Sequence, residues 1–145
     1  MRLVRRPCLV DQNTAALLEQ LARKASSENS ERLGQYEIKV GATVATNDFY
    51  EEQGRTNGAI CDHNHEDKMR FLGRARELGV INMEMESNYL AAMCNKLNVP
   101  FGVICVALNN RLLDDSAILS KSQLALFQQR LFALNSEFIK HKMAA

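Results

Sequence analysis

Gln53 and Arg55 lie two positions apart in a polar stretch, and Phe49 precedes them in the same stretch. A primary amide both donates and accepts hydrogen bonds, and a guanidinium donates several in a fixed plane. Such a pair can match the alternating acceptors and donor along one edge of a uracil ring, while an aromatic side chain stacks on the base or covers a sugar. A solvated loop that buries one phenylalanine explains the same residues, and residue types alone favour that simpler interpretation.

Glu84, Met85 and Glu86 place a carboxylate on each side of a thioether. A carboxylate can accept hydrogen bonds from both hydroxyls of a ribose cis-diol, and a methionine can pack on the apolar face of the sugar. The alternative is that Glu86 is only a favourable acidic residue in the first turn of a helix, near the positive end of its dipole. The segment by itself leaves both interpretations open.

Asn109, Asn110 and Arg111 directly follow a continuous apolar run at residues 101–108. If that run is a buried strand, its end delivers three polar side chains to one place. Helix capping or loop closure explains them equally well.

Other reactive or ligand-binding patterns are weak. Cys61, His63 and His65 include possible metal ligands, but their spacing matches no standard zinc pattern and no fourth ligand is evident. The sequence contains neither GxxxxGK[ST] nor GxGxxG, the patterns of phosphate-cradling loops, and it has no GxSxG nucleophile motif. We therefore expect no metal site and no covalent nucleophile.

Hydrophobic periodicity predicts the elements that must position the polar clusters. Helices are expected at about 11–24, 66–78, 87–97 and 121–140, and strands at 36–40 (with 41–46 continuing it), 80–84 and 101–108. This alternation predicts an α/β fold with parallel or mixed pairing. In such sheets ligands bind beyond the carboxyl ends of the strands, and all three polar clusters follow a predicted strand.

Bulk properties indicate an ordinary globular protein. The 145 residues are enough for a core of their own, and we expect residues 1–145 to form a single domain. The net charge of +1 gives no general attraction to nucleic acid or to an anionic membrane. The sequence shows no apolar run near the ~18 residues that cross a bilayer, no secretory signal and no CxxC pair. We expect a cytoplasmic protein.

Taken together and in this order, the polar clusters resemble those of the uridine phosphorylases, and of the animal type in particular. The matching segments are Thr-Asn-Asp-Phe-Tyr-Glu-Glu-Gln-Gly-Arg at 46–55, Gly-Val-Ile-Asn-Met-Glu-Met-Glu-Ser at 79–87 and Val-Ile-Cys-Val-Ala-Leu-Asn-Asn-Arg at 103–111. The likeness runs from about 41 to 142. It implies the C-terminal half of the nucleoside phosphorylase fold, a mixed or parallel sheet flanked by helices.

The resemblance also implies roles in base recognition. In the family a glutamine and an arginine hold the base, and their positions match Gln53 and Arg55. A phenylalanine that matches Phe49 lines the nucleoside pocket. The family's arginine after the apolar strand matches Arg111 and supports the base-binding loop.

The family's Glu-Met-Glu segment matches Glu84, Met85 and Glu86, of which the methionine and the second glutamate contact the ribose. The implied reaction is phosphorolysis, in which uridine and phosphate give uracil and ribose 1-phosphate in nucleoside salvage or catabolism. Phosphate is then a co-substrate, and no metal or organic cofactor is needed. Arg55 is the implied catalytic residue, because it faces the negative charge that grows on the departing uracil.

The sequence departs from the family pattern in two respects. Family members are much longer, and the part before the matching half carries the phosphate-binding turn and arginines. Asn109 also stands where the family usually places an apolar residue beside the base. Purine-specific relatives protonate their base with an aspartate that the segment 109–111 lacks, which disfavours a purine substrate. The resemblance also implies a homodimer for the whole protein.

These departures lead to two alternatives. The first is a truncated uridine phosphorylase that binds uridine weakly or not at all on its own and lacks phosphorolysis. The second is a non-catalytic chain that binds nucleoside or pairs with a full-length subunit. The sequence does not separate uridine from deoxyuridine or thymidine.

Overall fold

The computed structural model describes residues 4–117 and 119–144. In chain order the elements are α1 (Gln12–Glu28), α2 (Ser30–Leu33), β1 (Ala42–Ala45), α3 (His65–Glu77), β2 (Val80–Glu84), α4 (Ser87–Leu97) and α5 (Lys121–Ala144). The predicted α/β class is confirmed, and the four predicted helices match α1, α3, α4 and α5 to within a few residues at each end. No helix in the described ranges combines the length and apolarity needed to cross a membrane.

Helices α1 and α3 begin with side-chain caps. The Asp11 carboxylate accepts a hydrogen bond from the Thr14 N–H at 2.7 Å, which satisfies a backbone donor at the start of α1. Asn64 and Asp67 form a reciprocal capping box at the start of α3. Such caps fix where each helix begins, and therefore which of its residues face inward.

The sheet consists of β1 and β2, which pair in parallel with Ala45 opposite Glu84. Helix α3 connects them, as a parallel pair requires a crossover. The Thr43 hydroxyl also donates to the side-chain oxygen of Asn82 across the pair, at 2.8 Å. Because the strands are parallel, the segments that follow Ala45 and Glu84 begin at the same edge of the sheet.

Two predicted strands are wrong. Neither residues 36–40 nor residues 101–108 form one, although β1 confirms the continuation predicted at 41–46. An extended apolar run becomes a strand only where another strand pairs with its backbone, and across the described ranges the sheet ladder joins β1 to β2 alone. The run at 101–108 instead uses its side chains for helix packing, since Ile104 packs against the cluster around Leu21 and Leu134.

Backbone contacts divide the chain into two compact units. The first comprises Met1–Ile38, Tyr89–Val106 and Leu119–Ala145, and its core joins Leu21 and Ala22 of α1 to Leu134 of α5. The second comprises Lys39–Asn88 and Ala107–Ile118. It contains the sheet, α3 and every polar cluster singled out in the sequence. The single domain expected for residues 1–145 stays a prediction.

Candidate functional site

Gln53 is buried, with 3% of its surface exposed. Its Nε2 donates to the Thr46 hydroxyl at 3.1 Å, and its Oε1 accepts from Arg55 through Nε at 3.3 Å and Nη2 at 3.2 Å. These contacts use both lone pairs of the amide oxygen and one of the two N–H groups. The amide and the guanidinium therefore form one hydrogen-bonded unit.

The guanidinium of Arg55 also contacts an aromatic ring and a carbonyl. Its central carbon lies 3.8 Å from the centroid of the Phe49 ring, and its Nη1 donates to the backbone carbonyl of Asp115. Burial lowers the pKa of Arg55, the neighbouring Arg111 lowers it further, and Asp115 opposes them. Arginine remains charged at neutral pH despite such shifts. Phe49 keeps 44% of its surface exposed, so the stack faces solvent on one side.

A tight turn brings Gln53 and Arg55 together. The Arg55 N–H donates to the Tyr50 carbonyl at 2.8 Å, and Gly54 adopts a positive φ of 63°. A Cβ on Gly54 would lie 2.9 Å from the ring of Phe71, closer than real contacts allow. Both the backbone angle and the space therefore require glycine between the two polar side chains.

Asp115 is the centre of this cluster, although no sequence pattern indicates it. It is 6% exposed, and its Oδ2 accepts from the Thr56 N–H at 2.8 Å and the Thr56 hydroxyl at 2.9 Å. Its Oδ1 accepts from Arg111 Nε at 3.0 Å and Lys68 Nζ at 2.8 Å. Burial by itself raises the pKa of this carboxyl, but the bonds from Lys68, Thr56 and Arg111 outweigh it and hold the pKa well below its ordinary value.

Arg111 also contacts the turn that carries Gln53 and Arg55. Its Nη2 donates to the backbone carbonyl of Gln53 at 2.9 Å, in addition to its bond with Asp115. Its Nη1 is buried and has no hydrogen-bond partner among the described residues. Arg111 thus lies against the turn that it is predicted to support.

Asn109 and Asn110 are engaged in closing their own loop. The Asn109 amide nitrogen donates to the Asp114 carbonyl at 3.0 Å, and the Asn110 amide oxygen accepts from the Leu112 N–H at 3.1 Å. Loop closure, one of the explanations left open by the sequence, accounts for both side chains. Arg111 differs from them because it contacts residues outside its loop.

In the Glu84–Glu86 segment the two carboxylates have different surroundings. Glu84 accepts from the backbone N–H groups of Glu86 and Ser87, each at 2.8 Å, and from the Ser87 hydroxyl. Burial raises the pKa of Glu84, but these hydrogen bonds outweigh it, and the pKa lies below its ordinary value. Glu84 therefore stabilises the start of α4. Glu86 is exposed, and its carboxylate accepts from the Met85 N–H at 3.3 Å.

Thr46 links the turn that carries Gln53 and Arg55 to the Glu84–Glu86 segment. Its N–H donates to the Glu84 carbonyl at 2.9 Å, which extends the sheet pairing by one residue, and its hydroxyl accepts from Gln53. The amide and guanidinium are thus anchored to the strand end from which Met85 and Glu86 continue. All seven predicted site residues lie in the second unit: Phe49, Gln53, Arg55, Glu84, Met85, Glu86 and Arg111.

Cys61 and His63 form a local loop contact. The Cys61 thiol donates to the His63 carbonyl at 3.0 Å. Over the residues that the structure describes, no group of three or more His, Cys, Asp or Glu side chains is arranged to hold a metal ion.

The family follows from comparison with known proteins. A model described as the Phosphorylase superfamily matches residues 4–140. The chain belongs to this superfamily. Within it, uridine phosphorylase A of Schistosoma mansoni is 40% identical over 137 residues, which are 94% of this chain and 44% of that protein. A second protein of that organism, inactive uridine phosphorylase B, is 36% identical over the same shares of the two chains.

Solved structures of the superfamily agree. The crystal structure of uridine phosphorylase from Schistosoma mansoni in complex with uracil matches with a TM-score of 0.83 and 39% identity, over 97% of this chain and 46% of that chain. The chain therefore has part of the nucleoside phosphorylase fold, and the resemblance to uridine phosphorylases is confirmed. It spans less than half the length of the relatives that it matches.

Proposed function

We propose that this chain is the base- and ribose-binding part of a pyrimidine nucleoside phosphorylase, which converts uridine and phosphate to uracil and ribose 1-phosphate. The partly buried contact between Gln53 and Arg55 carries this proposal. A uracil edge presents acceptor, donor and acceptor groups, and an amide beside a guanidinium offers the complementary set. Relatives named uridine phosphorylase, one of them solved with uracil, support the same substrate class.

Base binding requires Arg55 to exchange partners. In the described state Arg55 donates twice to Gln53, so a bound base takes over at least one of these bonds and frees a lone pair of Gln53. The Phe49 ring, now stacked on the guanidinium, can cover the nucleoside instead. The groups proposed to bind the base are already held close together, which limits the ordering cost of binding.

Catalysis by Arg55 rests on charge. Negative charge grows on uracil as the bond to the ribose breaks, and a cationic donor binds that state more tightly than the neutral nucleoside. Partial burial strengthens the interaction, because the local dielectric is lower than that of water. Arg55 is therefore the proposed catalytic residue, and Arg111 holds the turn that carries it.

For the ribose, Met85 and Glu86 are the proposed contacts. The Glu86 carboxylate is exposed and can accept hydrogen bonds from a cis-diol, whereas the Glu84 carboxylate is engaged at the start of α4. Glu84 thus contributes indirectly, by fixing where the next two residues lie.

The remaining features of the whole enzyme are also proposals. Phosphate is the co-substrate, no metal or organic cofactor takes part, and the protein acts in nucleoside salvage or catabolism. A homodimer and a cytoplasmic location stay predictions from the sequence and its resemblance.

A non-catalytic nucleoside-binding chain is the second candidate. The match to a relative named inactive uridine phosphorylase B covers 94% of this chain, so a sequence of this kind exists without activity. The two candidates share base binding and differ in turnover.

A chimera separates them. We would replace the matched residues of uridine phosphorylase A from Schistosoma mansoni with this chain and measure phosphate-dependent release of uracil from uridine. We expect turnover, and we expect Arg55→Met to reduce kcat by about 10²–10³-fold, as for loss of a single donor to a developing anion. A folded chimera that binds uracil without turnover would favour the non-catalytic candidate. A folded chimera that does neither would contradict both.

A further inference from the structure

Asp115 touches the turn that carries the base-reading residues at several points. Its carboxylate accepts the N–H and the hydroxyl of Thr56, and its backbone carbonyl accepts from Arg55. Through Arg111, it also reaches the carbonyl of Gln53. The turn is therefore fixed on both sides of Gly54 by groups that converge on one buried carboxylate.

Lys68 holds that carboxylate from α3. It is 4% exposed, and its Nζ lies 2.8 Å from Asp115 Oδ1. Lys68 and Arg111 contact Oδ1, while Thr56 occupies Oδ2, so the orientation of the carboxylate is determined. The capping box at Asn64 begins α3 one turn earlier and sets the position of Lys68.

The charges explain why a carboxylate is needed at this place. The positive side chains of Arg55, Arg111 and Lys68 all contact Asp115, and like charges repel strongly where water is excluded. The carboxylate offsets part of that repulsion. Without it, Arg55 and Arg111 would move apart, and the turn between them would follow.

We propose that Asp115 and Lys68 are positioning residues for base recognition: Lys68 orients the Asp115 carboxylate, which holds Gln53 and Arg55 in their working geometry. The positioning itself is a property of the free chain. Its consequence for uracil binding rests on the proposed function.

A simple role in stability is a weaker explanation for the pair. Replacing a buried ion pair by uncharged residues of similar volume is often neutral for stability, whereas removing one partner is costly. The double variant Lys68→Met/Asp115→Asn also leaves the net charge of the four side chains unchanged, since it removes one positive and one negative group. We therefore expect the double variant to stay folded but to hold the turn that carries Gln53 and Arg55 less rigidly.

Hydrogen exchange and NMR of the labelled 145-residue chain without ligand test the positioning. We expect the amides of Arg55 and Thr56 to exchange about tenfold faster in Asp115→Asn and in the double variant, with the Nε–Hε signals of Arg55 and Arg111 displaced. Amides of the β1–β2 ladder should keep their rates. The control Arg74→Met breaks an exposed pair with Glu77 on the same helix and should change nothing in the turn.

Unchanged amide exchange rates at Arg55 and Thr56 in both variants would overturn the proposal. An equal acceleration of the amides in the β1–β2 ladder would also overturn it, because it indicates a purely structural role. If Asp115→Asn does not fold, hydrogen exchange of the double variant tests the proposal by itself. Lys68→Met, which keeps the bonds to Thr56 and Arg111, is expected to give a smaller but equally local acceleration.

A uracil titration of the same proteins tests the consequence for binding. We expect the dissociation constant to rise at least about tenfold in the double variant and to stay unchanged in Arg74→Met. Equal affinity in a variant whose turn exchanges faster would overturn the link to base recognition. If the unaltered chain binds no uracil, the same titration of the chimera and its variants decides the link to base recognition, while hydrogen exchange of the chain still decides the positioning.

Discussion

At the scale of single residues, Thr46 is the anchor of Gln53. It is 4% exposed, and its hydroxyl accepts the Gln53 amide at 3.1 Å. We expect Thr46→Val to lower the free energy of unfolding by about 1–3 kcal/mol, because it leaves a buried N–H without its acceptor. Urea denaturation measures this, with Thr46→Ser as the matched control that keeps the hydroxyl. Equal stability of the valine and serine variants would contradict the anchoring role.

The pKa of Asp115 gives a pH dependence with a definite sign. Its folded-state pKa lies below the ordinary value, so the unfolded chain takes up the proton more readily. The stabilisation by the ionised carboxylate is therefore complete above about pH 5 and is lost as the pH falls through about 3.9 toward the folded-state pKa. We expect the difference in unfolding free energy between the unaltered chain and Asp115→Asn to shrink from about pH 7 to about pH 3. A difference that stays constant would contradict the contacts described for this carboxylate.

Residue types and their positions after predicted strands made Gln53, Arg55 and Arg111 candidates, and the resemblance to uridine phosphorylases selected them. Residue types were insufficient for Asp115 and Lys68, which are charged residues in a loop and on a helix, where most such residues are solvated. Their burial depends on a contact between positions 47 residues apart, and no local pattern encodes it.

At the scale of elements, we expect a glycine-to-alanine substitution to have opposite effects on stability in the turn at Gly54 and in helix α3. We expect Gly54→Ala to destabilise the chain by about 1–2 kcal/mol from its positive φ alone, and by more because of the contact with Phe71. Gly73 lies inside α3 with open space where a Cβ would stand. We expect Gly73→Ala to stabilise by about 0.5–1 kcal/mol. Thermal or urea denaturation compares the two, and effects of the same sign would contradict the turn geometry.

The helices were predictable and the strands only in part, for a physical reason. A helix satisfies its backbone within itself, so a cap such as Asp11 and an apolar period are enough to locate it. A strand needs a partner elsewhere in the chain. Residues 80–84 have such a partner in β1, whereas 101–108 does not pair within the described ranges, although its apolar run is longer.

At the scale of the whole molecule, the chain carries the proposed base- and ribose-binding residues but no sequence motif of a phosphate-cradling loop. Without bound phosphate the nucleophile is not oriented, and orientation supplies much of the rate in such reactions. We expect the purified 145-residue chain to release no uracil from uridine in phosphate buffer. Phosphate-dependent release that Arg55→Met abolishes would contradict this expectation.

Binding of the base alone is the property that this chain should retain. The sequence allowed weak binding or none, but Gln53 and Arg55 are already in contact and fixed by Thr46, Arg111 and Asp115. Preformed groups reduce the ordering cost of binding, which favours weak but measurable affinity.

The most direct test is an NMR titration of the labelled chain with uracil, with cytosine as the control. Cytosine has a similar size but a different order of donors and acceptors along its edge. We expect saturable shifts of the Gln53 side-chain amide and the Arg55 Nε–Hε signal with uracil, and none with cytosine. Equal responses to both bases, or shifts confined to α1 and α5, would contradict the assignment of Gln53 and Arg55 as the base-reading pair.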